Sequence, residues 1–174
     1  MKMVYSLGML SFTLLAVGCG PSEVETVKDE VGIQSDSQYL ADVEPAGAMP
    51  VSEAREKVED GQNVTLVGLI GGSTKPFVDG LAAFTIVDPK VPYCAADEGC
   101  PTPWDYCCQT AAVRDNIATI KVVDGAGKPV MGDAKKMLNV KELSTVVVQG
   151  KAKRDDQGNL AIAATKVFVK QDSK

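Results

Sequence analysis

The chain of 174 residues contains no histidine, and only 5% of its residues are aromatic. Without imidazole, Ser/His/Asp and Cys/His catalysis and histidine-ligated zinc are all excluded. Net charge is small, −5 at pH 7, which argues against general attraction to phosphate backbones or anionic lipid surfaces. There is no internal repeat and no unbroken apolar run of the roughly 20 residues that a membrane-spanning helix needs. Carboxylate pairs occur at Glu59 and Asp60, Asp97 and Glu98, and Asp155 and Asp156. Such neighbours on exposed loops lack the burial that separates two pKa values into an acid and a base. A thiol oxidoreductase needs Cys-x-x-Cys between a strand and a helix, and that spacing does not occur. No catalytic site is expected.

What is present begins at the N-terminus. Lys2 precedes a largely apolar stretch, residues 3–17, that is too short and too punctuated by Ser, Gly and Thr to span a bilayer. It has the character of a secretory h-region. The stretch ends in Leu15-Ala-Val-Gly-Cys19, which resembles the lipobox of bacterial lipoproteins. That resemblance implies a signal peptide at residues 1–18 and lipidation of Cys19 as the first mature residue. Acyl chains then hold the protein to the lipid bilayer at about 0.8 kcal/mol per buried CH2. Gly20 after the cysteine implies, in the sorting pattern of that family, the outer membrane of a bacterial cell envelope, facing the periplasm or the exterior. The alternative is a plain signal peptide cut near Gly18 or Gly20.

Residues 19–50 are expected to be a flexible tether. From Gly20 to Pro50 there are seven acidic side chains and one lysine, three prolines and few large apolar residues, too little to offset ordering entropy. Residues 51–174 hold 16 basic and 16 acidic side chains, so the acidity belongs to the tether and the remaining domain is neutral.

Within that domain Ser52, following Pro50, is placed to cap a helix that Gly61 stops. Strands are predicted at residues 63–70, closed by Gly71-Gly72, at 81–87 and at 118–123. Asp133 is expected to cap a short helix over residues 134–138. Two further strands, 145–152 and 160–169, flank the turn Asp155-Asp-Gln-Gly-Asn159. The first and last strands are apolar on both faces, and Gly68 stands where a barrel strand would bend. This order, mainly β with β-β-β-α-β-β and a preceding helix, resembles a five-stranded OB-fold barrel. An SH3-like barrel or a small sandwich is the alternative.

The most specific feature is a Cys-rich insertion, residues 89–109, between the second and third strands. It holds Cys94, Cys100, Cys107 and Cys108, the only tryptophan, Trp104, and two tyrosines, Tyr93 and Tyr106. Its segment Cys100-Pro-Thr-Pro-Trp-Asp-Tyr-Cys-Cys108 resembles that of small secreted bacterial proteins with an OB-like domain, a resemblance that brings no activity with it. Four cysteines in an oxidising compartment are expected to form two disulfides, in one of three connectivities, and no cofactor is then needed. A bond between Cys107 and Cys108 would be strained and redox-responsive. The alternative is zinc or another thiolate-bound metal, with Asp97, Glu98 and Asp105 as nearby oxygen donors. The spacing C-x5-C-x6-C-C argues against metal, because it is not a pair of C-x2-C knuckles and adjacent cysteines tend to point apart.

Trp104 and Tyr106 are candidate contacts for a ligand or an envelope partner. Asp79, Asp88 and Asp124 are read as turn residues. Nucleic acid is not an expected partner: the second strand offers only Phe84, the third no aromatic, and the domain has no net charge. Lys151, Lys153 and Arg154 are read as a solvated turn. The sequence thus points to a membrane-anchored, extracytoplasmic binding or scaffold module, with a metal-binding or redox-responsive envelope protein as the alternative.

Overall fold

The computed structural model describes residues 37–171, so the expected signal peptide and the expected lipidation site Cys19 lie outside the described residues. The strands are β1, Met49–Pro50, β2, Asn63–Ile70, β3, Ala83–Val87, β4, Ile117–Val122, β5, Thr145–Arg154, and β6, Leu160–Val169. The helices are α1, Val51–Lys57, α2, Thr110–Asp115, and α3, Ala134–Leu138. Along β2 every second residue from Val64 to Ile70 is buried, the twofold period of an extended chain with one face on a core.

Strand β2 pairs antiparallel with β3 at one edge and, from Asn63 to Leu69, with β5 at the other. The remaining pairs are β3 with β4, β5 with β6, and a parallel contact of β4 with β6. The circuit β2-β3-β4-β6-β5 returns to β2. This closed barrel has the expected OB-like order, and its closure excludes an open sandwich. Phe84, Ile86, Ile120 and Ile162 fill its interior, joined by Val51 and Ala54 of α1 and by Ala134 and Leu138 of α3. Each large apolar side chain so buried contributes about 1.5–3 kcal/mol relative to exposure.

Gln149 pairs with Lys166 and Gly150 with Ala164, so Thr165 is the extra residue of a bulge in β6; beside it a Cβ on Gly150 would run into the Ala163 carbonyl, and such a bulge lets a long strand bend around a small barrel. Strand β5 also runs on to Arg154, because Arg154 is no solvated turn residue. Its guanidinium donates to the carbonyls of Val58 at 3.0 Å and Arg55 at 2.5 Å at the end of α1, and adds a bond at 3.2 Å to the Ala54 carbonyl, which already accepts from the Val58 N–H.

Two further expectations are corrected. The last part of the proposed tether, from Ser37 to Pro50, lies on the barrel. Ala41 N–H donates to the Val167 carbonyl at 2.9 Å, Lys170 pairs with Glu44 at 2.7 Å, and β1 runs parallel to β2 at Leu66 and Val67. Composition alone did not register that Leu40 and Met49 supply apolar contacts to the core. Nor does Ser52 cap α1, since Pro50 occupies the cap position and no side chain caps there. The Ser52 N–H instead donates to Asp88 Oδ2 at 2.8 Å, across 36 residues of sequence. Asp133 does cap α3 as expected, accepting from Lys135 N–H at 2.9 Å.

Asp88 is the one buried charged residue of the described core, 1% exposed. Burial pushes its carboxyl upward, but the N–H groups of Lys90 and Ser52 outweigh that and leave it below the ordinary carboxylate range. A carboxylate whose folded pKa is depressed stabilises the fold above its unfolded pKa of about 3.9 and loses that contribution as pH falls through the folded value. Replacing it as Asp88→Asn is expected to cost about 1–2 kcal/mol at neutral pH, the scale of a lost helix cap. Urea unfolding at a series of pH values checks this: the gap between parent and variant should be constant above about pH 5 and narrow below about pH 4.

Candidate metal centre

The Cys-rich segment leaves β3 at Asp88 and returns through α2 to β4. It carries a small core of its own, made by Val87, Val91, Tyr106 and Val113. Helix α2 was not expected from the sequence; it brings Val113 into this core and is only six residues long, too short for a periodic signal. Three one-turn 3-10 helices, Ala96–Glu98, Pro103–Asp105 and Cys107–Gln109, make up most of the rest.

The segment is seated on the barrel by two glycines. The Gly72 N–H donates to the Trp104 carbonyl at 2.8 Å. A Cβ on Gly71 would lie 2.6 Å from that carbonyl oxygen and 2.9 Å from the Tyr106 ring, and Gly72 has φ +92°. Only glycine allows so close an approach there. The Trp104 indole N–H adds a bond to the Thr74 carbonyl at 3.3 Å. Gly71-Gly72 reads in sequence as the end of a strand; the repeated glycine, more than one turn requires, was the available signal of a second chain packed against it.

Asp105 organises the approach to the last two cysteines. Its carboxylate accepts from Thr102 Oγ1 at 2.7 Å and from Cys107 N–H at 2.9 Å. Tyr106, with φ 57°, then reverses the chain. The reversal and the tight 3-10 turn after it bring adjacent side chains to one side. Cys107 and Cys108 Sγ are 3.8 Å apart, Cys107 and Cys100 3.3 Å, and Cys107 and Cys94 3.6 Å. All four Sγ atoms lie within 4.8 Å of one another.

These distances are consistent with the metal-binding alternative and place no disulfide at bonding distance. Among the described residues all four cysteines are free, and the separations given exceed the ~2.05 Å of a disulfide. Four sulfurs each ~2.3 Å from a central zinc would stand about 3.8 Å apart at the corners of a tetrahedron, a spacing that falls within the 4.8 Å that bounds this cluster. The spacing argument against metal treated Cys107 and Cys108 as pointing apart, whereas their Sγ atoms lie 3.8 Å from one another. The carboxylates proposed as oxygen donors are not part of the cluster. Asp105 is committed to its turn, and Glu98 accepts from Ala95 N–H at 2.6 Å.

Crowding of the four sulfurs shifts the thiols in opposite directions. The Cys94 thiol is drawn below its ordinary range, chiefly because Cys100 donates to it; burial opposes this and Cys107 and Cys108 reinforce it. Cys100 is lowered by the thiol of Cys107 but raised on balance by donating to Cys94 and by burial. Cys107 is pushed well up, first through its bond to Cys100, then through those to Cys94 and Cys108.

Of the candidate contact residues, Trp104 is half-buried against the barrel rim. Tyr106 is fully buried and therefore unavailable as a surface contact. Burial, reinforced by Tyr93 and Cys94, pushes its hydroxyl to about 12.

No protein-family model matches the chain, and comparison with curated proteins gives no match. Among solved structures it is similar to the hypothetical protein ygiW from E. coli, at 16% identity and a TM-score of 0.38, over 72% of this chain and 94% of that one. An OBody bound to hen egg-white lysozyme is 9% identical with a TM-score of 0.40, over 76% of this chain and 100% of the other. Aspartyl tRNA synthetase from Entamoeba histolytica is 10% identical with a TM-score of 0.39, over 75% of this chain and 23% of the synthetase.

The glycine seat is directly testable. Gly71→Ala forces the Trp104 carbonyl and the Tyr106 ring to move, and overpacking of this kind costs on the order of 1–3 kcal/mol. Because Trp104 is the only tryptophan, its emission should shift to the red in the variant while the far-ultraviolet circular dichroism of the barrel is retained.

Proposed function

We propose that this chain is a non-catalytic, lipid-anchored module of the bacterial envelope whose OB-like barrel presents one thiolate-bound metal ion, best matched by zinc. The observation that carries the reading is the set of four Sγ atoms within 4.8 Å of one another. A four-sulfur tetrahedral set selects zinc or iron over the hard cations. A multinuclear iron–sulfur cluster, with each cysteine on a different iron, would hold the sulfurs farther apart. The lipobox-like Leu15-Ala-Val-Gly-Cys19 string supports the anchor, and the acidic stretch behind it supports display away from the bilayer.

Full-length protein, reduced under anaerobic conditions, should take up one zinc per chain, with four thiols becoming inaccessible to a thiol reagent. Cobalt in place of zinc should give the intense charge-transfer absorption of tetrahedral thiolate coordination. Cys94→Ser should abolish stoichiometric uptake. A mature protein four hydrogens lighter than its reduced mass and free of metal would return the loop to two disulfides and overturn this reading.

The anchor has its own test. Cells fed labelled fatty acid should incorporate label into the parent chain and not into Cys19→Ala, which should leave the membrane fraction. Retention of Cys19→Ala in that fraction refutes lipidation at this residue.

A further inference from the structure

Resting on the reading of the loop as a metal centre, we infer that the ion it holds is exchangeable cargo, passed to an acceptor thiolate or chelating ligand through the face formed by Cys107 and Cys108. Two observations lead there. The first is the unequal burial of the four ligands. Cys94 is 3% exposed and Cys100 is intermediate, while Cys107 and Cys108 are both exposed. Two of the four sulfurs therefore face solvent, where an incoming ligand can reach them.

The second observation is that the loop is held in shape by contacts that involve none of the four sulfurs. Val87, Val91, Tyr106 and Val113 form a separate core. Gly72 and Thr74 bind the Trp104 carbonyl and indole. The Asp105 carboxylate anchors to Thr102 and orients the Cys107 N–H. Small metal domains that need their ion to fold couple its binding energy to folding. With its framework already assembled, this loop can give up the ion without unfolding. Around it, residues 88–109 carry four carboxylates, Asp88, Asp97, Glu98 and Asp105, against one lysine, Lys90, a local field that draws cations in and repels anions.

The transfer step involves no change of oxidation state. A lone pair on the incoming thiolate or chelator nitrogen forms a bond to the metal as the Cys108 Sγ–metal bond breaks. The released Cys108 thiolate takes a proton from solvent. Repetition at Cys107, then Cys100 and Cys94, moves the divalent ion onto the acceptor and leaves four thiols behind. Because the acceptor takes part before the first bond has fully broken, the rate depends on its concentration. A closed site releases its ion by spontaneous opening, at a rate indifferent to the acceptor.

Full-length protein loaded with one equivalent of zinc and mixed with pyridylazoresorcinol over a tenfold concentration range separates these cases. We expect the observed transfer rate to rise in proportion to chelator, about tenfold across the range. The Trp104 emission maximum should be the same in the loaded and stripped protein. A rate that stays flat while zinc is stoichiometrically bound overturns the exchange inference and leaves the metal reading standing. So does a red shift of Trp104 on stripping, which would show that the ion builds the loop. Failure to take up zinc at all overturns the metal reading and the exchange inference together.

Discussion

Strand β2 is shared between two neighbours, and the rest of the fold follows from that sharing. Seven consecutive residues, from Asn63 to Leu69, pair with β5, while Leu69 and Ile70 pair with β3. No edge of the five-stranded circuit is left open, so the backbone polar groups of a small sheet are satisfied without a second layer. Closure at this size demands coiling, which Gly150 supplies by letting β5 approach Ala163 more closely than a side chain would permit. Strand β2 is followed directly by Gly71 and Gly72, against which the cysteine segment rests. Barrel and cysteine cluster are therefore consecutive consequences of one strand's path.

The barrel was legible because its strands obey a short-range rule. Alternating or β-branched runs bounded by Gly, Asp and Asn located β2, β6 and α3 to the residue and β5 to within two at its end. What escaped were relations between residues distant in sequence. Ser52 has the character of a helix cap, yet the acceptor its N–H finds is Asp88. Arg154 lies in a cluster of cations at a hairpin but spends its donors on α1. Residues 37–50 have the composition of a solvated chain, and the few apolar side chains among them suffice to hold them down because the barrel offers complementary sites.

The cysteine segment shows the same limit more sharply. Its composition marked it as the specific feature, and the residues that form the cluster were all identified. Their arrangement was not, since spacing rules for thiolate sites presume a knuckle geometry that this chain does not use. Here the turn is built by Asp105 and by Tyr106 in a left-handed conformation, a backbone state that a tyrosine seldom adopts and that no local pattern announces. Tyr106 also serves as the buried pivot of the segment, which is why it is absent from the surface.

The incoming and outgoing ends of the domain are fastened to the same strand. Leu40 bridges to Val167 in β6, and Glu44 pairs with Lys170 just beyond it. Chain ends so placed are the arrangement from which circular permutants are most readily made. A short linker could join them and new termini be opened at the tip of the Asp155 to Asn159 hairpin, leaving the glycine seat intact. The order of the elements along the polypeptide is in that sense separable from the architecture that positions the sulfurs.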